Sequence, residues 1–363
     1  METIGLKMKI LICVLLFLSV HYNSFPQQLR IRNQRDTVGF VSNDLQMDSV
    51  MNRINREYSS QINHIRKEKK VTAETIFRVA ICPHDDYTYA GHMYPLALEN
   101  IKAGTVIIFG VAHKIKIRDR IIFESYDQWK SAYGNVKISP LREKIIHGLS
   151  TNFFVVDDSI HALEHSVEAL VPFLQYYNRK VEIIPVLIPN MPADTLQLLA
   201  ENLAGVISTI LVSQNLKWGK DIAIAISNDA VHYGDEDWGG KNFALFGSDS
   251  SGYKKALVYE NKLINDYLVP DFSISKINSF VSGLVNKNSE YKWPWCGRNS
   301  VPFGLLTSLY LQEKIRSPKL TGLLLDYSTS IMNKPLKVDD LKMGATAPAN
   351  IHHWVGYVSI GYE

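Results

Sequence analysis

Three apolar runs in this chain end in the same way, and that repetition limits the fold more than any other feature of it. The run 77–82 stops at Pro83 and hands over to His84, Asp85 and Asp86. The run 105–109 continues through Gly110, Val111 and Ala112 to His113, and the run 222–226 continues through Ser227, Asn228 and Asp229 to His232. Short continuous apolar runs bounded by turn-formers read as strands buried on both faces. Pro83 ends the first of them by removing a backbone donor. Amphipathic stretches separate the runs: helices are expected over 92–103, 141–149, 166–177 and 195–212, with a further strand over 181–187. That alternation is the rhythm of an α/β fold with a mostly parallel or mixed central sheet flanked by helices. Such sheets bind ligands outside the carboxyl ends of their strands, so His84, His113 and His232 are expected at one rim. A lone histidine is most often a hydrogen-bonded core or loop residue, but three at equivalent strand ends point to chemistry.

Ahead of these strands, Lys7 and Lys9 precede an uninterrupted apolar run, 10–20, followed by His21, Tyr22, Asn23 and Ser24. The run is about half of the roughly 20 residues that span a bilayer, so 1–24 reads as a secretory signal peptide. The expected location is periplasmic or extracellular, or membrane-anchored if the signal is uncleaved, with no membrane span in the mature chain. Cys13 lies in the middle of the run and is not read as a lipidation site. Residues 25–70 form a polar lead-in and one surface helix, with Leu45, Val50, Ile54, Tyr58, Ile62 and Ile65 at helical spacing. The main domain is 71–363. Its two cysteines, Cys82 and Cys296, are too few for a disulfide framework; Cys82 is expected in the sheet packing, buried and unpaired. A formal charge of +3 with acids and bases interspersed gives no polyanion footprint, so nucleic acid is not an expected partner. Nothing in the pattern sets an oligomeric state.

Residues 235–252, rich in glycine, serine and acids, break the rhythm and are expected as a long loop over the rim, either a lid or a substrate-facing wall. A helix over 254–268 and a loop over 286–294 follow. Trp293-Pro294-Trp295-Cys296-Gly297-Arg298 then leads into a helix over 301–311. Cys296 thus stands ahead of a helix amino end, a position that favours a thiolate. The chain closes with a strand over 323–327 and a tail over 354–360.

The order Pro83-His84-x-x-Tyr87-Thr88-Tyr89-x-Gly91, Gly110-x-x-His113, Glu164-His165-Ser166-Val167-Glu168, Ser227-x-Asp229-x-x-His232-x-Gly234 and Cys296-Gly297-Arg298 resembles the Memo family, called AmmeMemoRadiSam system protein B in prokaryotes. The resemblance implies a single domain related in fold to class III extradiol ring-cleaving dioxygenases, with a metal at the carboxyl rim of the sheet. Position by position, it makes His84, His113 and Cys296 the metal-binding residues and puts Asp229 and His232 beside them. Two departures stand out: Lys114 replaces a second histidine that the family shows after the first, and a His-x-Gly motif near the amino end is missing.

Two imidazoles and a thiolate form a three-ligand set with open positions, which suits iron, copper or zinc and not magnesium or calcium. The dioxygenase relatives use two histidines and a carboxylate; exchange of carboxylate for thiolate softens the site toward copper(I) or an iron of altered potential. Two metal-free readings of Cys296 stand beside ligation: a nucleophile with a histidine base, and a plain buried thiol. His232 is the candidate general acid or base, with Asp229 as its orienter or as a group behind the ligands. The bland reading is a helix cap at Asp229 and a packed His232. Glu164 and Glu168 read as structural, Glu168 satisfying backbone donors at the following helix, and His165 as pocket lining. Tyr87 and Tyr89 either wall the site or pack beneath it. The expected function is a metal-dependent redox enzyme, dioxygenase-like, acting on dioxygen or a small aromatic or oxygenated substrate. The alternative is a non-catalytic metal- or peptide-binding module, as the resemblance to animal members described as signalling partners and copper binders implies. Metal-free hydrolysis through Cys296 is the third reading.

Overall fold

The structure, a computed structural model, describes residues 28–115, 117–285 and 290–363. The expected signal segment, with Cys13, and part of the expected 286–294 loop lie outside the described residues. The chain runs from β1 (Ile31–Arg32) through α1 (Asp44–Glu57) and α2 (Ser59–Lys69) to β2 (Val79–Cys82), α3 (Tyr87–Ala90), α4 (Met93–Leu98) and β3 (Thr105–Val111). Next come β4 (Ile121–Phe123), β5 (Gln128–Trp129), β6 (Val136–Ile138), α5 (Leu141–Gly148), β7 (Phe154–Val156), α6 (Asp158–Leu163), α7 (Val171–Tyr177) and β8 (Glu182–Ile188). The last part holds α8 (Ala193–Ser213), β9 (Ile222–Ser227), β10 (His232–Gly234), α9 (Ser250–Tyr267), α10 (Ile274–Gly283), α11 (Ser300–Lys314), β11 (Gly322–Thr329) and β12 (His353–Tyr362).

The centre of the sheet is parallel, in the order β6-β8-β3-β9-β2. β12 then adds to β2 antiparallel and itself carries β10 and β11, so the whole is a large mixed sheet flanked by helices, one α/β domain over residues 31–363. Period-two alternation decides which side each strand residue serves. Val79, Ile81, Ile107, Phe109, Ile224 and Ile226 enter one core with α8 and α11, while Ala80, Cys82, Val106, Ile108, Ala223 and Ala225 enter the other with α1, α2 and α7. Burial on both faces is why these strands read as continuous apolar runs. In register, Cys82 pairs with Ser227 and Phe109 with Ile226, which aligns the carboxyl ends of β2, β3 and β9.

α8 is long and apolar enough to cross a membrane by length and composition, yet Leu196, Leu199, Leu203 and Ile207 are buried against the sheet. It is a core helix here. The single helix expected over 45–70 is two. Tyr58 interrupts it (φ −119°, ψ −2°), donating its hydroxyl to the Lys334 carbonyl at 2.7 Å and stacking on His92 at 4.5 Å. Leu45 points to solvent, and Met47 and Met51 fill the buried stripe beside Val50 and Ile54. The helix expected over 166–177 starts late, at Val171, because the Glu168 carboxylate does not cap it. Glu168 instead accepts from the backbone N–H groups of Arg35 and Asp36 and pairs with the buried Arg32.

Candidate metal centre

Two of the rim histidines, His84 and His113, are each held by a partner at Nδ1. His84, 1% exposed, sits just past β2, and its Nδ1 lies 2.7 Å from Ser227 Oγ at the end of β9. The Ser227 hydroxyl donates to the Ser166 carbonyl at 2.5 Å, so its oxygen is left to accept the His84 Nδ1–H. The lone pair of His84 therefore resides on Nε2. At His113, Nδ1 lies 2.7 Å from Glu164 Oε2, and Glu164 Oε1 accepts the His113 and Lys114 backbone N–H groups at 2.7 and 3.2 Å. A carboxylate can only accept, so His113 Nδ1 carries a proton and Nε2 is the nitrogen turned toward a ligand. Both Nε2 atoms face Cys296 Sγ, His113 at 2.9 Å and His84 at 3.4 Å, and the three donor atoms all lie within 4.8 Å of one another. Ligand bonds of about 2.0 to 2.3 Å put donor atoms roughly 3 to 4 Å apart, so the three side chains converge as one ion requires. His84 and Cys296 are buried and His113 is exposed, so the cluster opens on the His113 side.

Cys296 reaches this point on a segment clamped from below. Its N–H donates to the Asp229 carbonyl at 3.0 Å, and the His232 N–H donates to the Pro294 carbonyl at 3.0 Å, laying 294–296 along 229–232. Buried Glu260 on α9 accepts from Trp293 Nε1 (2.7 Å), Trp295 Nε1 (2.8 Å) and the Val231 N–H (3.2 Å). Gly297 must be glycine: a Cβ there would fall 2.1 Å from Asn228 Oδ1, which accepts the Gly297 N–H at 3.0 Å. α11 starts only at Ser300, beyond the one-turn reach of its dipole. The thiolate expected from that position does not follow: burial pushes the Cys296 thiol up to about 12, against the opposing pull of Arg298. A cation held there would supply the missing charge, since coordination deprotonates a thiol. The donor set thus fits a transition metal: two imidazoles aimed by their partners, plus one sulfur.

Burial, then the charges of His113, His165 and His232, hold the His84 imidazolium well below the usual range, so the ring stays neutral. Asp229 faces His84 and not His232: Oδ1 accepts the His84 backbone N–H at 2.9 Å, and Oδ2 lies 3.2 Å from His84 Nε2. Burial, reinforced by Asp85 and Cys296, pushes its carboxyl well above the usual carboxylate range. His232 packs 5.1 Å from Trp238, and although the ring is partly exposed, its Nε2 is buried without a hydrogen-bond partner. Burial lowers it to about 3, making it a neutral acceptor. His165 stacks on His113 at 5.3 Å and pairs with Asp36 at 3.1 Å. Tyr87 is buried, donating to the Ala169 carbonyl, whereas Tyr89 lines the smaller cavity described below. Cys82 is buried and free, on the core face shared with Ala80.

Two cavities meet at the cluster. One of about 250 Å³ is lined by His84, Asp229 and His353 as well as by His113, His232 and Cys296. The other, about 740 Å³, shares the last three and extends past Trp238, Phe243 and Arg298. The 235–252 loop therefore forms a wall, with Trp238 stacked on His353 at 3.9 Å. Sequence reasoning missed Ser227 and Glu260 and treated Glu164 as structural. The signals were there: Ser227 is a hydroxyl closing an apolar strand, and Glu260 is an acid on the buried stripe of α9 with Ala256, Leu263 and Ile264.

The family of Memo-like proteins matches residues 49–336. Over 159 residues the chain is 30% identical to a MEMO1 family protein of Methanosarcina barkeri, covering 42% of this chain and 54% of that one. Over 161 residues it is 32% identical to a MEMO1 family protein of Sulfurisphaera tokodaii (42% and 52%), and over 173 residues 30% identical to one of Saccharolobus solfataricus (46% and 56%). The chain spans about half the length of the curated relatives it matches.

Proposed function

Because the chain belongs to the Memo family and brings two imidazole nitrogens and a sulfur to one point, we propose that it is a metal-dependent redox enzyme acting on dioxygen and a small aromatic or oxygenated substrate. The observation that carries the reading is the placement of those three donor atoms at the edge of a cavity of about 740 Å³, within the usual range for small-molecule sites. A module that only stores metal or docks a peptide needs no cleft of that size beside the ligands. His84, His113 and Cys296 would hold the ion; iron or copper fits the redox reading, and the set also accepts zinc. Bound there, such an ion supplies one-electron chemistry with dioxygen.

The remaining work falls to the chain. Ser227 and Glu164 keep both Nε2 atoms aimed, as partners behind metal-bound histidines do. His232, neutral and lining the cavity, is the acceptor for the proton of a substrate hydroxyl. Asp229 holds a proton at the buried edge of the site, beside His84. Trp238 and Phe243 give an apolar wall for a ring and keep water from its face. Protein purified without oxygen should contain iron or copper in proportion to chain, and should take up oxygen when given catechols or reductants. Protein that carries no transition metal, or whose metal content is untouched by Cys296→Ser, would overturn the proposal.

A further inference from the structure

We infer that the substrate of this site carries a carboxylate on an aromatic or similarly apolar body, and that Arg298 receives that carboxylate. The inference rests on the reading of the site given above and narrows its substrate class. Arg298 lies two residues beyond Cys296 and lines the same cavity of about 740 Å³ as Cys296, His113 and His232. Its guanidinium gives the protein little. One nitrogen reaches the Trp295 carbonyl at 3.4 Å, the outer edge of a hydrogen bond, and Nε is buried with no partner. A guanidinium has five donors to place. Elsewhere in the chain, buried arginines are matched: Arg32 pairs with Glu168, and Arg142 with Glu124 at 2.8 Å. Among the described residues no carboxylate stands within ion-pair distance of Arg298.

The side chain is nevertheless held in place. Its Cζ lies 4.3 Å from the centre of the Tyr291 ring, a stacking contact that occupies the face of the guanidinium and leaves its hydrogen-bonding edge for a ligand. A planar carboxylate matches that edge with two parallel bonds. Lys241, on the exposed rim of the same cavity, adds a second positive charge, while Glu290 is the single carboxylate among the described lining residues. The lining between charge and donor cluster is apolar, with Trp238, Phe243 and Ile188. A ligand with its anion at one end and a ring toward the three donors uses each part of this lining.

The test is equilibrium binding of benzoate and of the neutral benzyl alcohol to the full chain as purified. Benzoate should bind about tenfold more tightly, as one charge-assisted contact provides. That preference should shrink with added salt, fall to within about twofold in Arg298→Gln, and fall partway in Lys241→Gln, with benzyl alcohol binding unchanged. Equal binding of the two probes to the unmodified chain, or a preference that survives in Arg298→Gln, overturns the inference. If Arg298→Gln fails to fold, the unmodified chain decides: a preference insensitive to salt overturns it. Benzoate can itself ligate an open metal, so the comparison is made on chelator-treated chain as well as on chain as purified, and the two readings then fail separately. Metal-free protein that still prefers benzoate refutes the redox reading alone, and metal-bearing protein without the preference refutes this one alone.

Discussion

Replacement of Ser227 by Ala probes the least visible part of the site. The hydroxyl is buried, accepts the Nδ1–H of His84, and donates to the Ser166 carbonyl. Left without partners, buried polar groups cost about 1 to 3 kcal/mol each. The His84 ring has an escape, however. Its proton can move to Nε2, where Asp229 Oδ2, 3.2 Å away, accepts it when the Asp229 carboxyl carries its own proton on Oδ1. That tautomer softens the loss in the metal-free protein, so urea unfolding should show destabilisation near the lower end, about 1 to 2 kcal/mol. It also removes the lone pair that the metal needs. Competition against a chelator should therefore show metal affinity reduced about 10- to 100-fold, the scale for loss of a partner behind a metal-bound histidine. Unchanged affinity combined with a larger loss of stability would mean that Ser227 only fills space and that the tautomer argument is wrong.

His84→Ala, His113→Ala and Cys296→Ser should each empty the centre, whereas His232→Ala should retain metal and lose turnover about a hundredfold; elemental analysis beside oxygen uptake separates these, and metal loss from His232→Ala would assign that ring to the ligand set. Burial pushes the Glu260 carboxyl up to about 8, above the roughly 4.3 of an unfolded chain, so its contribution to stability is complete below about pH 4 and is lost as pH rises through about 8. Glu260→Gln should flatten the stability profile between those limits in denaturant titrations, and an unaltered slope would contradict the assignment. Arg32→Leu strands Glu168, 7% exposed, and should cost about 3 to 5 kcal/mol in the same assay. A loss below about 1 kcal/mol would show that the pair is solvated.

The parts of this molecule legible in its sequence are those whose cause is local. Continuous apolar runs announced β2, β3, β8 and β9, and their shared endings announced His84 and His113 at one rim. Cys296 drew attention through its place before a helix and through the family resemblance. What failed depended on partners far away in the chain. Tyr58 breaks a helix because Lys334 accepts its hydroxyl. Glu168 was expected to serve its own helix, but the donors it meets come from residues 32–36. Asp229 and His232 stand three apart, which says that the two groups are close but not that His84, from another strand, would claim the carboxylate. The strands β4 to β7, two or three residues each, are too short to show a period; β4 and β6 add to the longer β8, and β7 and β5 add in turn to them.

The distance between His84 and Cys296 along the chain, 212 residues, sets a timetable. A ribosome has released β2, β3 and all of α8 before the sulfur exists. β12, which closes the sheet against β2, is made later still, more than fifty residues after Cys296. No stretch of nascent chain therefore holds all three donor atoms in their final places, and a partly made chain presents at most two imidazoles to passing ions. Under the proposed reading, the choice of ion would then fall to the finished chain, from whatever pool surrounds it when the sheet closes. Synthesis of the same sequence in two different metal environments would yield two different proteins.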